Sequence, residues 1–360
     1  MRLGDVSGIK TGNLDVNVKV DNGKYPFFTC AQKPEKIDTF SFDCECVLVA
    51  GNGDLNVKYY SGKFDAYQRT YVIEILQKDC LDTSFLFHFL NKYLDKLRSQ
   101  SIGGVIKYIK MANLTDIELP NYSLSKQKDI VEILNTADSL RQKRKKQLTL
   151  LDDYLKSIFL DMFGDPLTNN KGITQRKIGD LGKIVTGNTP SRQKKEYYGT
   201  FVEWIKSDNI NTPEFILTKA EEFLSEAGAK VGRIAPEGAI LVTCIAGSPE
   251  CIGNCAISDR KVAFNQQINA FIPGDEIKTE FFFAQLYICK KLVQKASTES
   301  MKGMVSKGRF FEIKILAPSL EQQINFVKIF NSVAKMQEKM RVSLDEMYNH
   351  FNALMRRYFG

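Results

Sequence analysis

The histidines that could serve as general bases in nucleophilic catalysis are few. His88 and His350 are the only two histidines among 360 residues. His88 lies in an apolar run at residues 85–90, which is more typical of a buried helical histidine than of a catalytic one. His350 falls in a predicted helix, where we expect it to face solvent. A Ser/His/Asp or Cys/His site would have to be built on one of these two residues.

The cysteines do not form a recognisable metal or disulfide framework. No Cys-x-x-Cys pair occurs, and the chain is large enough to build a core without disulfides. The closely spaced Cys244, Cys251 and Cys255 fit no common zinc pattern. We therefore predict reduced, mostly buried thiols at Cys30, Cys44, Cys46, Cys80, Cys244, Cys251, Cys255 and Cys289.

Sequence patterns for cofactor binding are also missing. Residues 187–191 lack the lysine and the spacing of a phosphate-binding loop, and no Asn/Asp-Pro-Pro-aromatic loop for adenine methylation occurs. Carboxylate and lysine groupings at residues 275–278 and 312–314 could be nuclease-like. Such groupings arise by chance in a chain with 26% charged residues. We expect no catalytic residue, metal site or cofactor in this chain.

The charge balance favours a polyanionic partner. The chain carries 50 Lys and Arg against 42 Asp and Glu, a formal net charge of +8 without a basic tail, so nucleic-acid contacts must come from folded faces. No run approaches the roughly 18 apolar residues of a membrane span, and residues 1–5 precede no apolar signal core. These features predict a cytoplasmic protein.

Two stretches mix the side chains that suit duplex DNA. Residues 59–70 interleave aromatic, amide and cationic groups, and residues 262–267 are their counterpart. Arg and Lys read guanine edges, Asn and Gln read adenine, and hydroxyls and lysines hold phosphates. For individual members, a solvated polar loop is the alternative. In the first half of the chain the candidates are Lys10, Thr11, Gln32, Lys33, Asn52, Lys58, Tyr60, Lys63, Tyr67, Gln68, Arg69 and Lys107. In the second half they are Thr186, Asn188, Ser191, Arg192, Lys194, Lys195, Lys206, Asn209, Gln266, Gln267, Lys302 and Lys307.

The elements that must position these residues occur twice. Residues 2–13 return as residues 177–188, keeping Gly-Asp and Thr-Gly-Asn, at an offset of 175. A second match, from Ile117 to Gly164, returns at an offset of 196. The chain is therefore predicted to contain two similar halves, each a globular domain followed by a helix.

Each helix carries an apolar seam with alternating spacings of four and three residues, typical of a two-stranded coiled coil. The first seam contains Ile130, Leu134, Ala137, Leu148, Leu151, Leu155 and Ile158. The second contains Phe326, Phe330, Val333, Met340, Leu344, Met347, Phe351 and Leu354. Neither helix contains Pro or Gly, so each can run for about 40 residues and about 60 Å.

The helix ends and the chain direction constrain the arrangement. Ser319 and Gln322 predict a capping box, and Ser123 predicts a simple cap. If the two seams bury each other, the helices must be antiparallel, with a globular domain near each end of a rod. The basic cluster at residues 141–146 is either a solvated face or a contact for DNA or an acidic partner.

The globular parts are predicted to have mixed α and β structure. Strands are predicted at residues 46–50, 71–76, 239–243 and 268–272, and amphipathic helices at 83–98 and 280–295. The predicted class is α+β with an internal pseudo-two-fold repeat. The predicted divisions are domain 1–122, helix 123–164, linker 165–176, domain 177–318 and helix 319–360.

Together these motifs resemble the specificity subunit of type I restriction-modification systems over essentially the whole chain. The residues that carry the resemblance are 3–5, 178–180, 62–70, 204–209, 265–266 and 318–323. Two departures are an unusually early first motif and the sequence Asn121-Tyr122-Ser123 in place of a proline pair.

The resemblance implies a non-catalytic reader of double-stranded DNA. Two target recognition domains would each read half of a bipartite, asymmetric site, and the helical regions would dock two modification subunits. Those subunits methylate adenine at N6 with S-adenosylmethionine, and restriction subunits consume ATP with Mg²⁺. The alternatives are a standalone DNA-binding regulator, the specificity half of a methylation-only complex, an enzyme in its own right, and a coiled-coil adaptor.

Overall fold

The computed structural model describes residues 1–212, 215–298 and 303–360 and divides into two units. The first unit combines Met1–Lys145 with Val342–Gly360, and the second is Lys146–Arg341. The division falls within the two long helices. Each unit therefore contains a globular part and a segment of both helices.

The first unit is built on one six-stranded sheet. Its strands are β1 (Ser7–Thr11), β2 (Tyr25–Phe28), β3 (Glu35–Ile37), β4 (Phe42–Ala50), β5 (Val57–Ala66) and β6 (Thr70–Ile75), in the order β1-β6-β4-β5-β2-β3. All neighbours are antiparallel except β2 and β5. The strand predicted at residues 46–50 is confirmed as part of β4 and is buried throughout. The strand predicted at 71–76 is confirmed as β6, which ends one residue earlier, at Ile75.

Helices cover this sheet. They are α1 (Leu3–Val6), α2 (Thr83–Gln100), α3 (Ala112–Thr115) and the first long helix α4 (Leu124–Phe163). The Asp82 carboxylate caps α2 by accepting a hydrogen bond from the Phe85 N–H at 2.9 Å. His88 of α2 is buried, and its Nε2 lies 2.8 Å from Oδ1 of Asn135 on α4. The prediction of a buried helical histidine is confirmed.

Among its described residues, the second unit contains three smaller sheets. Its strands are β7 (Gln175–Lys177), β8 (Gly182–Thr186), β9 (Tyr198–Ile205), β10 (Phe223–Leu224), β11 (Ile234–Ala235), β12 (Ile240–Thr243), β13 (Cys255–Ile257), β14 (Val262–Phe264), β15 (Ile268–Pro273) and β16 (Lys314–Leu316). The sheet orders are β13-β12-β15-β8, β10-β9-β14-β11 and β16-β7. The strands predicted at 239–243 and 268–272 are confirmed as β12, which begins one residue later, and as part of β15, and the two strands pair antiparallel.

The helices of the second unit include a correction to the sequence analysis. They are α5 (Ile178–Leu181), α6 (Glu226–Val231), α7 (Thr279–Ile288), α8 (Lys291–Gln294), α9 (Lys307–Glu312) and the second long helix α10 (Leu320–Phe359). The predicted amphipathic helix 280–295 is wrong in two respects. It is interrupted after Ile288, and residues 281–286 are buried on every side.

Three consecutive phenylalanines explain why α7 has no polar face. The ring of Phe281 lies 5.8 Å from that of Phe159 on α4, and Phe282 stacks on Phe271 of β15 at 4.1 Å. Phe283 meets Phe330 of α10 at 5.9 Å. Because neighbours surround α7, the polar face expected of a surface helix is replaced by aromatic packing.

Matching hydrogen bonds in the two units account for the repeated sequence motifs. The N–H of Leu3 donates to the carbonyl of Ile117, and the N–H of Ile178 donates to the carbonyl of Ile313, both at 2.9 Å.

The repeated glycines leave no room for a side chain. A Cβ atom on Gly12 would lie 1.9 Å from the carbonyl oxygen of Ala66. On Gly187 it would lie 2.0 Å from that of Asn265. The repeated Thr-Gly-Asn motif therefore marks a close backbone approach that excludes a side chain.

The two long helices begin with the predicted caps. The Ser319 N–H donates to Oε1 of Gln322 at 3.2 Å, and the Gln322 N–H donates to Oγ of Ser319 at 3.3 Å. In the first helix, Lys126 N–H donates to Oγ of Ser123 at 3.4 Å. The capping box and the simpler cap are both confirmed.

The seam residues are buried or half-buried in both units. In the first unit Ile130 and Leu134 of α4 share one apolar core with Phe351 and Leu354 of α10. In the second, Leu155 of α4 shares a core with Phe326, Phe330 and Val333 of α10, and Leu151 and Ile158 pack against it. Ala137, Leu148, Met340, Leu344 and Met347 are half-buried. Within the described residues, no helix is long and apolar enough to cross a membrane.

Candidate nucleic-acid interface

In the first unit, most of the aromatic and cationic stretch is a strand rather than a loop. Lys58, Tyr60 and Lys63 all lie on β5. Tyr60 is half-buried, and its ring meets that of Phe64 edge-on at 5.5 Å. The exposed Lys63 ammonium lies 4.5 Å from the centroid of the Phe40 ring. Lys63 therefore presents its charge at the surface, whereas Tyr60 contributes largely to packing.

The loop after β5 has a fixed backbone and mostly exposed polar side chains. The Tyr67 N–H donates to the carbonyl of Phe28 at 2.9 Å, and the Gln68 N–H donates to that of Leu14 at 3.0 Å. Gln68 and Arg69 are exposed, and Tyr67 is half-buried. The fixed backbone holds these side chains at a defined place on the surface.

Two further loop segments are joined to this one by backbone hydrogen bonds. Gly51 N–H donates to the carbonyl of Arg69 at 2.7 Å, and Gly53 N–H donates to that of Lys107 at 3.0 Å. Asn52, between these glycines, forms an isolated antiparallel β-bridge with Tyr108. The structure thus brings Arg69, Asn52 and Lys107 into neighbouring loops.

The remaining candidates of the first unit lie on other segments or are hydrogen-bonded within the unit. Lys10 and Thr11 lie on the edge strand β1, and Lys33 is exposed between β2 and β3. Gln32 donates to Oδ2 of Asp54 at 3.0 Å. The Lys58 ammonium bonds Oδ1 of Asn56, and burial lowers its pKa.

In the second unit, several predicted amide and hydroxyl readers hold the fold together. Nδ2 of Asn188 donates to the carbonyl of Val231 at 3.0 Å, and its Oδ1 accepts from the N–H of Arg233 at 2.8 Å. Oγ1 of Thr186 donates to Asn269 at 2.7 Å. These side chains fix loop positions, a role that the sequence pattern did not distinguish from base reading.

Asn209 and the two glutamines are likewise bonded inside the unit. Asn209 donates to the carbonyl of Lys219 at 2.9 Å. Oε1 of Gln267 accepts from Oγ of Ser207 at 2.9 Å, while Oε1 of the exposed Gln266 accepts from Thr189.

The cations of the second unit gather around aromatic rings. The Arg192 guanidinium carbon lies 4.6 Å from the ring centroid of Tyr198 and 4.9 Å from that of Trp204. The Lys206 ammonium lies 5.5 Å from the same Trp204 ring. Lys194 donates to the Tyr197 hydroxyl at 3.2 Å. These contacts combine positive charge with flat apolar surface, as nucleic-acid interfaces commonly do.

The other candidates of this unit are exposed or outside the described residues. Ser191, Lys195 and Lys307 are exposed, with Lys307 at the start of α9. Lys302 lies outside the described residues.

One residue at this cluster was missed by the sequence analysis. The Glu222 carboxylate pairs with Nη1 of Arg192 at 2.7 Å and with the ammonium of Lys206. The hydrogen bonds from Arg192 and Lys206 hold the pKa of Glu222 below its usual range. No spacing rule connects residues so far apart in sequence, so no signal in the chain identified this contact.

The cysteines differ in burial. All eight are free, but only Cys46, Cys244 and Cys255 are buried, so the prediction that most are buried is wrong. Burial raises the pKa of Cys244 and of Cys255 to about 12, which keeps both as neutral thiols near neutral pH.

Comparison with known proteins gives one family in two copies. The model of the family described as type I restriction modification DNA specificity domain matches residues 1–150 and 170–342. The EcoDI type I restriction enzyme specificity subunit of Escherichia coli is 39% identical over 156 residues, which are 43% of this chain and 34% of that protein. The HindI specificity subunit of Haemophilus influenzae is 34% identical over 162 residues, or 42% and 33% of the two chains. The match thus spans about a third of the length of these two relatives.

A solved structure shows the same fold over the full chain. The type I restriction-modification S subunit from M. genitalium aligns with a TM-score of 0.62 at 18% identity, covering 100% of this chain and 95% of that one. At this identity the likeness concerns the architecture of two mixed α/β domains and two long helices.

Proposed function

Since the chain belongs to the type I restriction modification DNA specificity family, we propose that it reads a bipartite, asymmetric DNA site as the specificity subunit of a type I complex. The observation that carries this proposal is the presence of two family matches, at residues 1–150 and 170–342, in one chain. The two matched segments differ in sequence, so the two half-sites should differ in bases.

We propose that the reading surfaces are the loop after β5 with its neighbours in the first unit and the Arg192 cluster in the second. The first is supported by the exposure of Gln68 and Arg69 on a backbone held by hydrogen bonds. The second is supported by the cations packed over Tyr198 and Trp204. Cationic and amide side chains can each form two hydrogen bonds to one base edge in the major groove, and a fixed loop holds them in position to do so.

The two long helices are proposed to form an antiparallel coiled coil that spaces the half-sites. In support, seam residues of α4 and α10 share the apolar cores of both units. Readers at a fixed spacing favour half-sites about one helical turn apart, on the order of 34 Å between centres. The helices would also dock two modification subunits.

The methylation and cleavage activities are proposed to belong to the partner subunits. By likeness to the family, modification subunits would supply S-adenosylmethionine-dependent methylation of adenine N6. Restriction subunits would supply ATP-dependent cleavage with Mg²⁺. This chain would contribute sequence reading without a cofactor of its own.

Mapping of methylated adenines across the genome, with and without this gene, tests the proposal. We expect one split motif that disappears on deletion and returns when the full chain is restored. Unchanged methylation, together with sequence-specific DNA binding by the purified chain alone, would instead support a standalone regulator.

A further inference from the structure

The Glu222 carboxylate joins two of the cations assigned to DNA. It pairs with Arg192 at 2.7 Å and also with Lys206, and both cations lie over the Trp204 ring. Its backbone is fixed as well, because the Trp204 N–H donates to the Glu222 carbonyl at 2.9 Å. The carboxylate and the ring that carry the two cations are therefore anchored to each other.

This arrangement restrains the direction of the Arg192 guanidinium. Tyr198 and Trp204 contact it through their rings, and the Glu222 carboxylate forms an ion pair with Nη1. A guanidinium has five N–H donors in a flat fork, so donors remain for another acceptor. Arg192 is itself exposed, so those donors can reach a ligand at the surface.

The charges around the cluster favour a neutral acceptor over a phosphate. Asp208, Glu221 and Glu222 line the cleft beside Trp204, together with Lys206 and Lys219. The three carboxylates outnumber the two ammonium groups of the cleft, so a phosphate meets no net positive charge there, whereas a base edge carries no net charge. The O6 and N7 atoms of guanine are the acceptors that arginine most commonly reads in the major groove.

We propose that Glu222 is a positioning residue that fixes Arg192 to read a guanine edge in the half-site of the second domain. The inference rests on the proposed function and adds one specificity-determining residue to it. Glu222 acts through Arg192 and does not itself contact the base.

The test uses the full chain in complex with its modification subunits and compares Glu222→Gln with the wild type. Binding is measured for the mapped site, for each single base-pair change in the second half-site, and for unrelated duplex, over a salt series. Discrimination at one G·C pair should fall about ten- to a hundredfold. Affinity for unrelated duplex should stay equal or rise, because a negative charge has been removed.

Glu221→Gln is the matched control. It removes the same charge from the same cleft, at an exposed neighbouring residue, and should leave base discrimination unchanged. Equal effects of the two variants would mean that only the charge of the cleft matters, and would overturn the inference.

Arg192→Lys provides a second route that keeps the positive charge but lacks the guanidinium fork. It should lose discrimination at the same G·C pair, and it serves alone if Glu222→Gln does not fold. If Arg192→Lys lost discrimination at a different base pair, or at no base pair, this result would contradict the role assigned to Arg192. If the wild-type protein bound DNA without any sequence preference, the proposed function itself would be refuted. If the wild type and Glu222→Gln discriminated equally well between DNA sequences, only this inference would be refuted.

Discussion

Gln127 and Gln323 make the same set of hydrogen bonds at the start of the two long helices. Each is buried, and each Oε1 accepts a backbone N–H at 2.9 Å, from Asp82 and from Lys278 respectively. Each Nε2 donates to two backbone carbonyls, those of Cys80 and Tyr122 in the first unit and those of Glu276 and Pro318 in the second. The two glutamines fix each long helix to the globular part of its own unit.

Replacing either glutamine by leucine should destabilise the protein by about 3 kcal/mol, since three buried backbone groups lose their partner. Urea unfolding of Gln127→Leu and Gln323→Leu would measure this. Asn325→Ala, at an exposed position on α10, should change stability by less than about 0.5 kcal/mol. Leucine variants as stable as the wild type would show that the hydrogen bonds contribute little.

A methyl group at the repeated glycines should be poorly tolerated. Gly12→Ala and Gly187→Ala would each place a carbon about 2 Å from a backbone carbonyl oxygen, and we expect a loss of at least about 2 kcal/mol in thermal melts. Gly104→Ala and Gly247→Ala are matched controls, because an added Cβ meets nothing within 4 Å there. If Gly12→Ala melted like the wild type yet lost DNA binding, the motif would belong to the DNA surface instead.

Stability should depend on the protonation of His88. Burial lowers the pKa of this imidazole below its usual value of about 6.5, so the unfolded chain binds more protons in that range. The His88 contribution therefore leaves stability unchanged well above pH 6.5 and reduces it as the pH falls below that value. Denaturation at pH 7.5 and 5.5 should show a smaller acid loss for His88→Gln than for the wild type. His350→Gln, at an exposed position, should behave like the wild type.

Lengthening both long helices should change the recognised site. Inserting one helical turn into α4 and one into α10, at facing seam positions, should widen the gap between half-sites while leaving their bases unchanged. Methylation mapping would measure the new spacing. An unaltered gap would contradict the role of the helices as a spacer.

Exchanging residues 1–122 for those of a relative should alter one half of the methylated motif. The other half should remain, because the second family match, at residues 170–342, is untouched. A change in both halves would mean that the two matched segments do not read DNA independently.

The long helices were predictable because their information is local and repeated. Seam spacing, absence of Pro and Gly, and caps at Ser123 and Ser319 are all visible in sequence, and the structure places the helices at Leu124–Phe163 and Leu320–Phe359. The burial of α7 was not visible, because three adjacent phenylalanines show no period when each packs against a different neighbour.

The sequence supplies the residue types of the candidate site but not the contacts that those residues make. Asn188 has the side chain of an adenine reader, yet its amide is bonded to Val231 and Arg233. The alignment of β9 with β10 places Glu222, just before β10, beside Trp204 of β9, where its carboxylate meets Arg192 from the segment before β9. Such an alignment is set by tertiary packing, which the order of residues alone does not specify.

The first unit includes Val342–Gly360, and the aromatic side chains of Phe351, Tyr358 and Phe359 line its core. On the ribosome, this core stays incomplete until residues 342–360 have emerged. At roughly 5–20 residues per second, synthesis of residues 146–341 takes about 10 to 40 s. During that interval the nascent amino-terminal half leaves exposed the apolar surface that residues 342–360 later cover, so we expect it to be prone to aggregation until synthesis ends.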